Sequence, residues 1–498
     1  MSRNGPMPAG AHRALPSPRE HNILDAFLSP EAKEGAMSDP AMSRSLSLAV
    51  PKAPKRSLSW RGVLRAVHDN PLTLWTDAAY EDEVETQRFL GRPRLLINAP
   101  DAIQHVLIRN PGNFHRTAAS IRLLRPFVGR GLLLSEGELW RRQRRVIAPT
   151  LAPRALPPLM AEAARAIAPA TSAFAEAAED GAPVDLLAAM QRLALDIAGR
   201  TMFSVAMEDF GGEMRQMLVE AWPNISRPDF FDLVLPIGIP SPRDFARRRF
   251  QRRWMGLIGR IIAAREKADD RPGKGADLFD LLRAAIAGEG REGARLLRDE
   301  VATMIIAGHE TTALTLFWSA LLLAAHPEAQ ARIAEEAEGL DLGPEGAPSA
   351  LERLIYTRAV VSEALRLYPP AAVIARQAAR AERCGGIDVP RGALVLISPW
   401  VLHRHRKLWA APGQFDPGRF LPGAAPVPRF AYLPFGAGPR VCVGAQFALA
   451  EATLVLATLA RRFVITRGDE APVMPVSVVT TQPDRAPPFH LAPRPGAA

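Results

Sequence analysis

The stretch that most restricts how this chain folds is residues 435–444, which read FGAGPRVCVG. It contains Cys442, one of only two cysteines in 498 residues. Three glycines and a proline around the thiol leave little room for a regular helix or strand. An apolar helical pattern over residues 445–459 follows at once, so backbone N–H groups and the helix dipole are expected to favour a thiolate. A buried, inert cysteine beside a turn is the simpler alternative.

The spacing within this loop resembles the cysteine-ligand loop of the cytochrome P450 family, F-x-x-G-x-R-x-C-x-G, at every specified position. The resemblance implies that Cys442 is the thiolate ligand of a haem iron and that Arg440 binds a haem propionate. It also implies that Phe435 covers the sulfur. The glycines that would let the backbone approach the macrocycle are Gly436, Gly438 and Gly444. A match of this length outweighs the alternative of an inert cysteine.

A second motif lies inside a long apolar helical pattern, where residues 307–312 read AGHETT. A glycine followed by adjacent threonines is unfavourable in the middle of a helix, which indicates a local purpose. The motif resembles the oxygen-activation motif of the same family, (A/G)-G-x-(D/E)-T-(T/S). The resemblance implies catalytic roles for Gly308, Glu310 and Thr311: the threonine would hydrogen-bond dioxygen and the glutamate would relay protons. His309 occupies the variable position and carries no catalytic role.

A third motif pairs Glu363 with Arg366 on one face of a predicted helix. Alone, such a pair is usually a solvated surface pair. Here the sequence FDPGRF follows at residues 415–420 and supplies Arg419. Together these residues resemble the Glu-Arg-Arg cluster of the family. The resemblance implies that the cluster serves folding and haem retention and takes no part in the chemical step.

Further candidates for cofactor binding are spread along the chain. Trp140 and Arg144 lie one helical turn apart, and both carry N–H donors suited to carboxylates. They resemble the W-x-x-x-R helix that the family uses to bind haem propionates. Arg376 matches another propionate-binding position, with a charge at a strand edge as its alternative, and His115 is a further candidate. Arg141, Arg142 and Arg145 are predicted to face solvent and offer an acidic redox protein a basic surface, with ordinary surface charge as the alternative.

The arrangement of periodic segments predicts a mainly α fold with a minor β lobe. A hairpin is predicted around residues 83–97, a loop over 116–134, a helix over 296–325 and another over 351–367. Residues 1–55 are predicted to be a disordered or loosely packed extension, and residues 56–498 a single domain. The resemblance covers about residues 60–498. It implies the cytochrome P450 fold, in which a long central helix lies over the haem beside small antiparallel sheets.

The composition of the chain limits which binding partners and which cellular compartment are expected. The formal net charge is +10 and the pI about 10.2, which suits nucleic acid or acidic proteins, but aromatic residues are only 6% and no nucleic-acid-binding motif is present. The apolar run at 301–325 contains His309 and Glu310, so a buried core helix is expected there and no membrane span. Two cysteines give no disulfide framework, which favours a cytoplasmic protein.

The sequence therefore predicts a haem b monooxygenase that inserts one atom of O2 into a hydrophobic small molecule, of fatty acid or terpenoid type. The resemblance implies electrons from a separate ferredoxin or flavodoxin with its reductase. The substrate pocket is expected to include residues 116–134, 224–240 and 304–307. Three other hypotheses remain open: a peroxide-driven haem-thiolate peroxygenase, a non-catalytic haem-binding sensor, and a basic DNA-associated protein.

Overall fold

The structure is a computed structural model, and it describes residues 49–89, 91–267 and 277–495, apart from the side chains of residues 220–224. The predicted extension, residues 1–55, lies almost entirely outside the described residues, as does the side chain of Asn224 in the predicted pocket wall.

Most of the described residues are helical, as predicted. In chain order the α-helices are α1 (Trp60–Asp69), α2 (Pro100–Gln104), α3 (Ala118–Val128), α4 (Gly137–Ile147), α5 (Leu156–Glu179), α6 (Leu186–Phe203), α7 (Glu208–Ile225), α8 (Phe230–Val234), α9 (Asp244–Lys267), α10 (Leu278–Ala285), α11 (Gly290–Ala325), α12 (Pro327–Ala337), α13 (Ala347–Arg353), α14 (Ile355–Leu367), α15 (Pro399–Leu402) and α16 (Ala445–Arg462).

The strands form a minor β part, also as predicted. In chain order they are β1 (Val84–Phe89), β2 (Arg92–Ile97), β3 (Phe114–His115), β4 (Ile374–Ala378), β5 (Glu382–Cys384), β6 (Ile387–Val389), β7 (Leu394–Ile397), β8 (Phe463–Arg467), β9 (Pro475–Ser477), β10 (Thr481–Pro483) and β11 (Phe489–Pro493). One sheet has the order β1-β2-β7-β4-β3, and the other pairs are β9 with β10, β8 with β11 and β5 with β6. The sheets are antiparallel except at one pairing, because β2 and β7 run parallel.

Helix α11 is the longest of the described helices, with 36 residues. Residues 312–323 are buried without interruption, so this half of α11 is apolar on all sides and lies within the core. The helix begins at Gly290, six residues before the predicted start at position 296. The added turns carry polar residues and lie at the surface, where hydrophobic periodicity gives little indication of a helix.

Two predicted elements differ from the structure. The predicted loop at 116–134 contains α3, whose N-terminus is capped by Thr117 through its side-chain oxygen, which accepts from the Ser120 N–H at 3.1 Å. The helix predicted at 351–367 is two helices that break at Leu354. There, the Glu336 carboxylate of α12 accepts the N–H groups of Tyr356 and Thr357 at 2.5 and 2.8 Å, and so caps α14 from a neighbouring helix.

Within the described ranges, no helix combines the length and the apolar character needed to cross a membrane.

Candidate haem-binding site

The loop before α16 is held by its own backbone and by a distant carbonyl. The Cys442 N–H donates to the Phe435 carbonyl at 3.0 Å, which closes the loop on itself. Gly438 has φ +71°, and a Cβ added there would lie 2.1 Å from the Leu107 carbonyl oxygen. Leu107 belongs to a π-helical turn, His105–Arg109. Only glycine therefore fits at 438 while the loop rests on this turn. Gly436 also has φ +71°, but its surroundings are open except for Ile374.

The surroundings of the Cys442 thiol disfavour its ionised form. The residue is exposed to solvent, yet protein atoms surround the thiol densely enough that burial raises its pKa. The Gly444 N–H and the Arg144 charge oppose that rise without cancelling it. The Gly444 N–H thus acts in the predicted direction, toward a thiolate, but desolvation of the thiol outweighs it. A bound metal cation would reverse this balance, because a coordinating thiol is deprotonated outright.

Three guanidiniums converge beside the loop with one carboxylate between them. Burial lowers the pKa of Arg116 to about 10, with further lowering by Arg376 and Arg440. Burial and the charge of Arg440 likewise lower the pKa of Arg376. Arg440 donates to the Glu136 carboxylate at 2.5 Å, and Arg116 lies 3.5 Å from its other oxygen. The Arg116 Nε is buried and makes no hydrogen bond to the described residues. The cluster thus carries more positive charge than its protein neighbours neutralise.

Helix α4 brings two more of the predicted residues to the cluster. The Arg440 guanidinium lies over the Trp140 ring at 4.2 Å, and that of Arg144 lies 5.8 Å from the same ring. Arg144 donates to the Val441 carbonyl at 2.9 Å, next to Cys442. His115 does not join them: it is exposed at the end of β3, and no hydrogen bond or ion pair within the described part of the chain involves its side chain.

The motif in α11 also borders open space. Ala307 is exposed although this stretch of the helix is mostly buried, and Thr311, one turn later, is half-buried. The Thr311 hydroxyl donates to the Ala307 carbonyl at 2.6 Å, the i−4 bond expected of a helical threonine. Gly308 faces α6, where an added Cβ would make ordinary contact with Met202 and Ala198. The glycine therefore relieves no clash with protein atoms.

Glu310 is buried, and side chains at the start of β10 hydrogen-bond its carboxyl. The Gln482 amide of β10 donates to its Oε1 at 3.0 Å. Burial raises the pKa of Glu310 to about 7, although hydrogen bonds from Gln482 and Thr480 lower it. The pKa of this carboxyl therefore lies near neutral pH, where a group can both accept and donate a proton.

The third motif forms a buried ion pair on α14. The side chains of Glu363 and Arg366 are fully buried, and Arg366 donates to both carboxylate oxygens at 2.6 and 2.7 Å. Arg366 also donates to the carbonyls of His403, Pro412 and Gln414, each at 2.8 Å. Arg419 lies 3.6 Å from the same carboxylate. The pair is thus fully hydrogen-bonded, which is the condition for burying two charges.

The segment from 224 to 240 is tied to α3. Arg122 of α3 is buried and donates to the carbonyls of Leu235, Pro236 and Ile239 at 2.5–2.6 Å. These bonds fasten two of the predicted pocket walls to each other.

Comparison with known proteins adds the family. The family model "Cytochrome P450" matches residues 56–486, most of the chain. The chain belongs to the cytochrome P450 family.

Relatives of this P450 include bacterial and plant enzymes. Cyclooctat-9-en-7-ol 5-monooxygenase of Streptomyces melanosporofaciens is 33% identical over 393 residues, which are 77% of this chain and 83% of that protein. Pentalenene oxygenase of Streptomyces avermitilis is 31% identical over 392 residues (76% and 84%). Cytokinin hydroxylase of Arabidopsis thaliana is 31% identical over 413 residues (78% and 77%). The P450 described here is accordingly an oxygenase.

The family implies a haem iron, and the residues of this P450 fit one. A haem offers an iron that a cysteine thiolate ligates in this family, and two propionates that cations can bind. The solvent-exposed Cys442 and the excess charge of Arg116, Arg376 and Arg440 supply both. Arg116 was not predicted from the sequence as part of this cluster. It becomes evident only when β3 pairs with β4, which carries Arg376.

Proposed function

We propose that this P450 is a haem-thiolate monooxygenase that inserts one atom of O2 into a hydrophobic small molecule and reduces the other atom to water. The observation that carries the proposal is the solvent-exposed Cys442 in the loop of Arg440, whose guanidinium belongs to a cluster with Arg116 and Arg376 that one carboxylate does not neutralise. We further propose that residues 56–498 act as one catalytic domain, in line with the family match over 56–486.

In this proposal the chain holds the cofactor from two sides. The Cys442 sulfur ligates the iron, and Arg116, Arg376 and Arg440 bind the propionates, with Trp140 and Arg144 beside them. We assign haem b, because the chain has no C-x-x-C-H sequence for covalent attachment. When bound, the haem supplies the oxidising chemistry. Glu363, Arg366 and Arg419 support the loop and do not touch the substrate.

Proton delivery is assigned to Glu310 and Thr311. With a pKa of about 7, the Glu310 carboxyl both takes and gives a proton near neutral pH. The Gln482 amide donates to Oε1, and the hydrogen bonds from Gln482 and Thr480 hold the carboxyl in place for proton exchange. The Thr311 hydroxyl is one residue further along the same helix, and it would donate a hydrogen bond to dioxygen by turning away from the Ala307 carbonyl that accepts its proton in the structure. Gly308 keeps this turn of α11 free of a side chain.

The substrate is proposed to be terpenoid-like. The relatives named for cyclooctat-9-en-7-ol and pentalenene motivate this choice over a fatty acid. Electrons are proposed to come from a ferredoxin or flavodoxin with its reductase, since α4, which carries Trp140 and Arg144, also presents exposed arginines. Both cysteines are free, which agrees with a cytoplasmic location.

The absorption spectrum of the reduced, carbon monoxide-bound protein tests the proposal. Thiolate ligation predicts a strongly red-shifted Soret band. Cys442→Ala should abolish that band, whereas Cys384→Ala, which removes the other cysteine, should retain it. A Soret band at the histidine-type position in the parent protein would contradict the proposal. Product formation with hydrogen peroxide alone, at the rate reached with electron donors, would indicate a peroxygenase instead.

A further inference from the structure

A basic cleft lies between the end of α3, the middle of α9 and the first turns of α11. Its volume is about 280 Å³, and it shares no lining residue with the Cys442 site. Three separate elements contribute guanidiniums to its lining. They are Arg125 and Arg130 from the end of α3 and the residues after it, Arg252 from α9, and Arg295 and Arg298 from α11.

The protein leaves most of this charge unneutralised. Asp299 is the one carboxylate in the lining, and its Oδ2 accepts the Arg130 backbone N–H at 2.8 Å. The Arg130 guanidinium pairs with Glu292 at the rim. In the described ranges, no carboxylate lies within ion-pair distance of the other four arginines, although the charges of Arg295 and Arg298 act on Asp299 from farther away. Like charges gathered in a concave site raise the local potential and attract anions.

The walls of the cleft are fixed with respect to one another. Gly129 has φ +52°, and a Cβ added there would lie 2.1 Å from the Asp299 carboxylate, so the backbone after α3 packs directly on α11. The buried Trp254 indole of α9 donates to the Phe127 carbonyl of α3 at 2.7 Å. Gln251 of α9 donates to the Arg125 carbonyl at 3.3 Å. The arginines are therefore presented on a preformed frame, which lowers the entropy lost on binding.

We propose that this cleft binds a small polyanion carrying at least two phosphate or carboxylate groups. Guanidiniums bind both groups in a bidentate manner, and four of them are without a carboxylate partner among the described residues. The concave shape and the modest volume favour a small molecule over the convex acidic surface of a protein. The proposal concerns a second site and does not depend on the substrate or on the redox partner of the haem site.

Calorimetric titration of the haem-loaded protein with pyrophosphate, and separately with citrate, tests the proposal at constant ionic strength. We expect saturable binding of one anion per chain and a rise in the melting temperature, because the anion binds only the folded state. Arg295→Gln combined with Arg298→Gln should weaken binding at least tenfold. The matched control, Arg291→Gln combined with Arg353→Gln, removes the same charge from exposed positions outside the cleft and should leave binding unchanged.

The two anions separate a phosphate ligand from a carboxylate one. An unchanged carbon monoxide spectrum in both double variants shows that the haem site is intact, so weaker binding then reports on the cleft. Equal loss in the control variant would overturn the proposal, because the anion would then respond only to the net charge of the protein. The absence of saturable binding at this constant ionic strength would overturn it as well. Retention of an acidic redox protein by the parent but not by the cleft variant, without pyrophosphate or citrate binding, would instead make the surface a protein-docking face.

Discussion

Glu310 is a buried acid whose protonation depends on the fold. Because its pKa is raised from 4.5 to about 7, the folded chain binds more protons than the unfolded chain between these values. The free energy of unfolding therefore falls as the pH rises through this window. Glu310→Gln removes this contribution, so the variant should gain about 3 kcal/mol relative to the parent from the lower to the upper end of the window.

Chemical unfolding of both proteins at each end of the window measures this difference. Glu300, whose pKa burial raises to about 8, contributes equally to both proteins and cancels. The exposed Glu179→Gln is the control and should show no such gain. If the gain is the same for both variants, Glu310 does not titrate as described.

Substitutions at Gly436 and Gly438 distinguish the effect of backbone strain from that of steric overlap. Both have φ +71°, but a Cβ at 436 meets only the end of Ile374, at 3.8 Å, whereas one at 438 would overlap the Leu107 carbonyl. Gly436→Ala should thus lower the free energy of unfolding by about 1–2 kcal/mol. Gly438→Ala should lower it by much more, and also reduce haem content. Denaturant titrations and haem-to-protein absorbance ratios check both, and equal losses at the two positions would refute the role given to the Leu107 contact.

The residues of the site differ in how well the sequence predicted them. The motif residues Cys442, Arg440, Trp140 and Arg144 are placed together as predicted, because each motif is short and local. Arg116 escaped prediction because its role depends on the pairing of β3 with β4, strands more than 250 residues apart in the chain. His115, one position earlier, was predicted in its place. A strand places consecutive side chains on opposite faces, so a shift of one residue changes the face.

At the scale of elements, the ion pair of α14 supports the segment before the cysteine loop. Arg366→Met would leave the Glu363 carboxylate buried without its partner and three carbonyls without a donor. We expect a loss of about 3–5 kcal/mol in the free energy of unfolding. Arg353→Met, at the exposed end of α13, should change it by less than about 0.5 kcal/mol. Urea unfolding followed by tryptophan fluorescence compares them, and similar values would argue against a supporting role for the pair.

Helices and strands were predicted best where the hydrophobic pattern is long or where the residues that form a turn are adjacent in the sequence. The hairpin of β1 and β2 and the buried half of α11 follow directly from such patterns. The break at Leu354 did not, because the Glu336 carboxylate that caps α14 comes from another helix. Tertiary capping leaves no mark in the local sequence.

At the scale of the whole molecule, α4 links the haem-binding residues to the outer surface. Arg141, Arg142 and Arg145 are exposed, but the first two pair with Glu138 and Glu289. In the described part of the chain, no carboxylate pairs with Arg145. Arg145→Glu should therefore raise the KM for a ferredoxin several-fold at low ionic strength with little change in kcat, since a rim charge affects mainly association. Arg192→Glu, at an exposed position on α6, serves as the control. An equal rise in KM for this variant would show that only the net charge of the protein matters.

The arginine cluster also has a consequence for how cells produce this protein. Arg116, Arg376 and Arg440 repel one another, so an anion bound among them, such as the propionates of the proposed haem, should stabilise the folded chain. Cofactor supply and protein accumulation are thereby coupled through electrostatics. Expression hosts that are fed a haem precursor should yield more intact polypeptide. Under iron starvation, a larger fraction of the chains should be degraded by proteases.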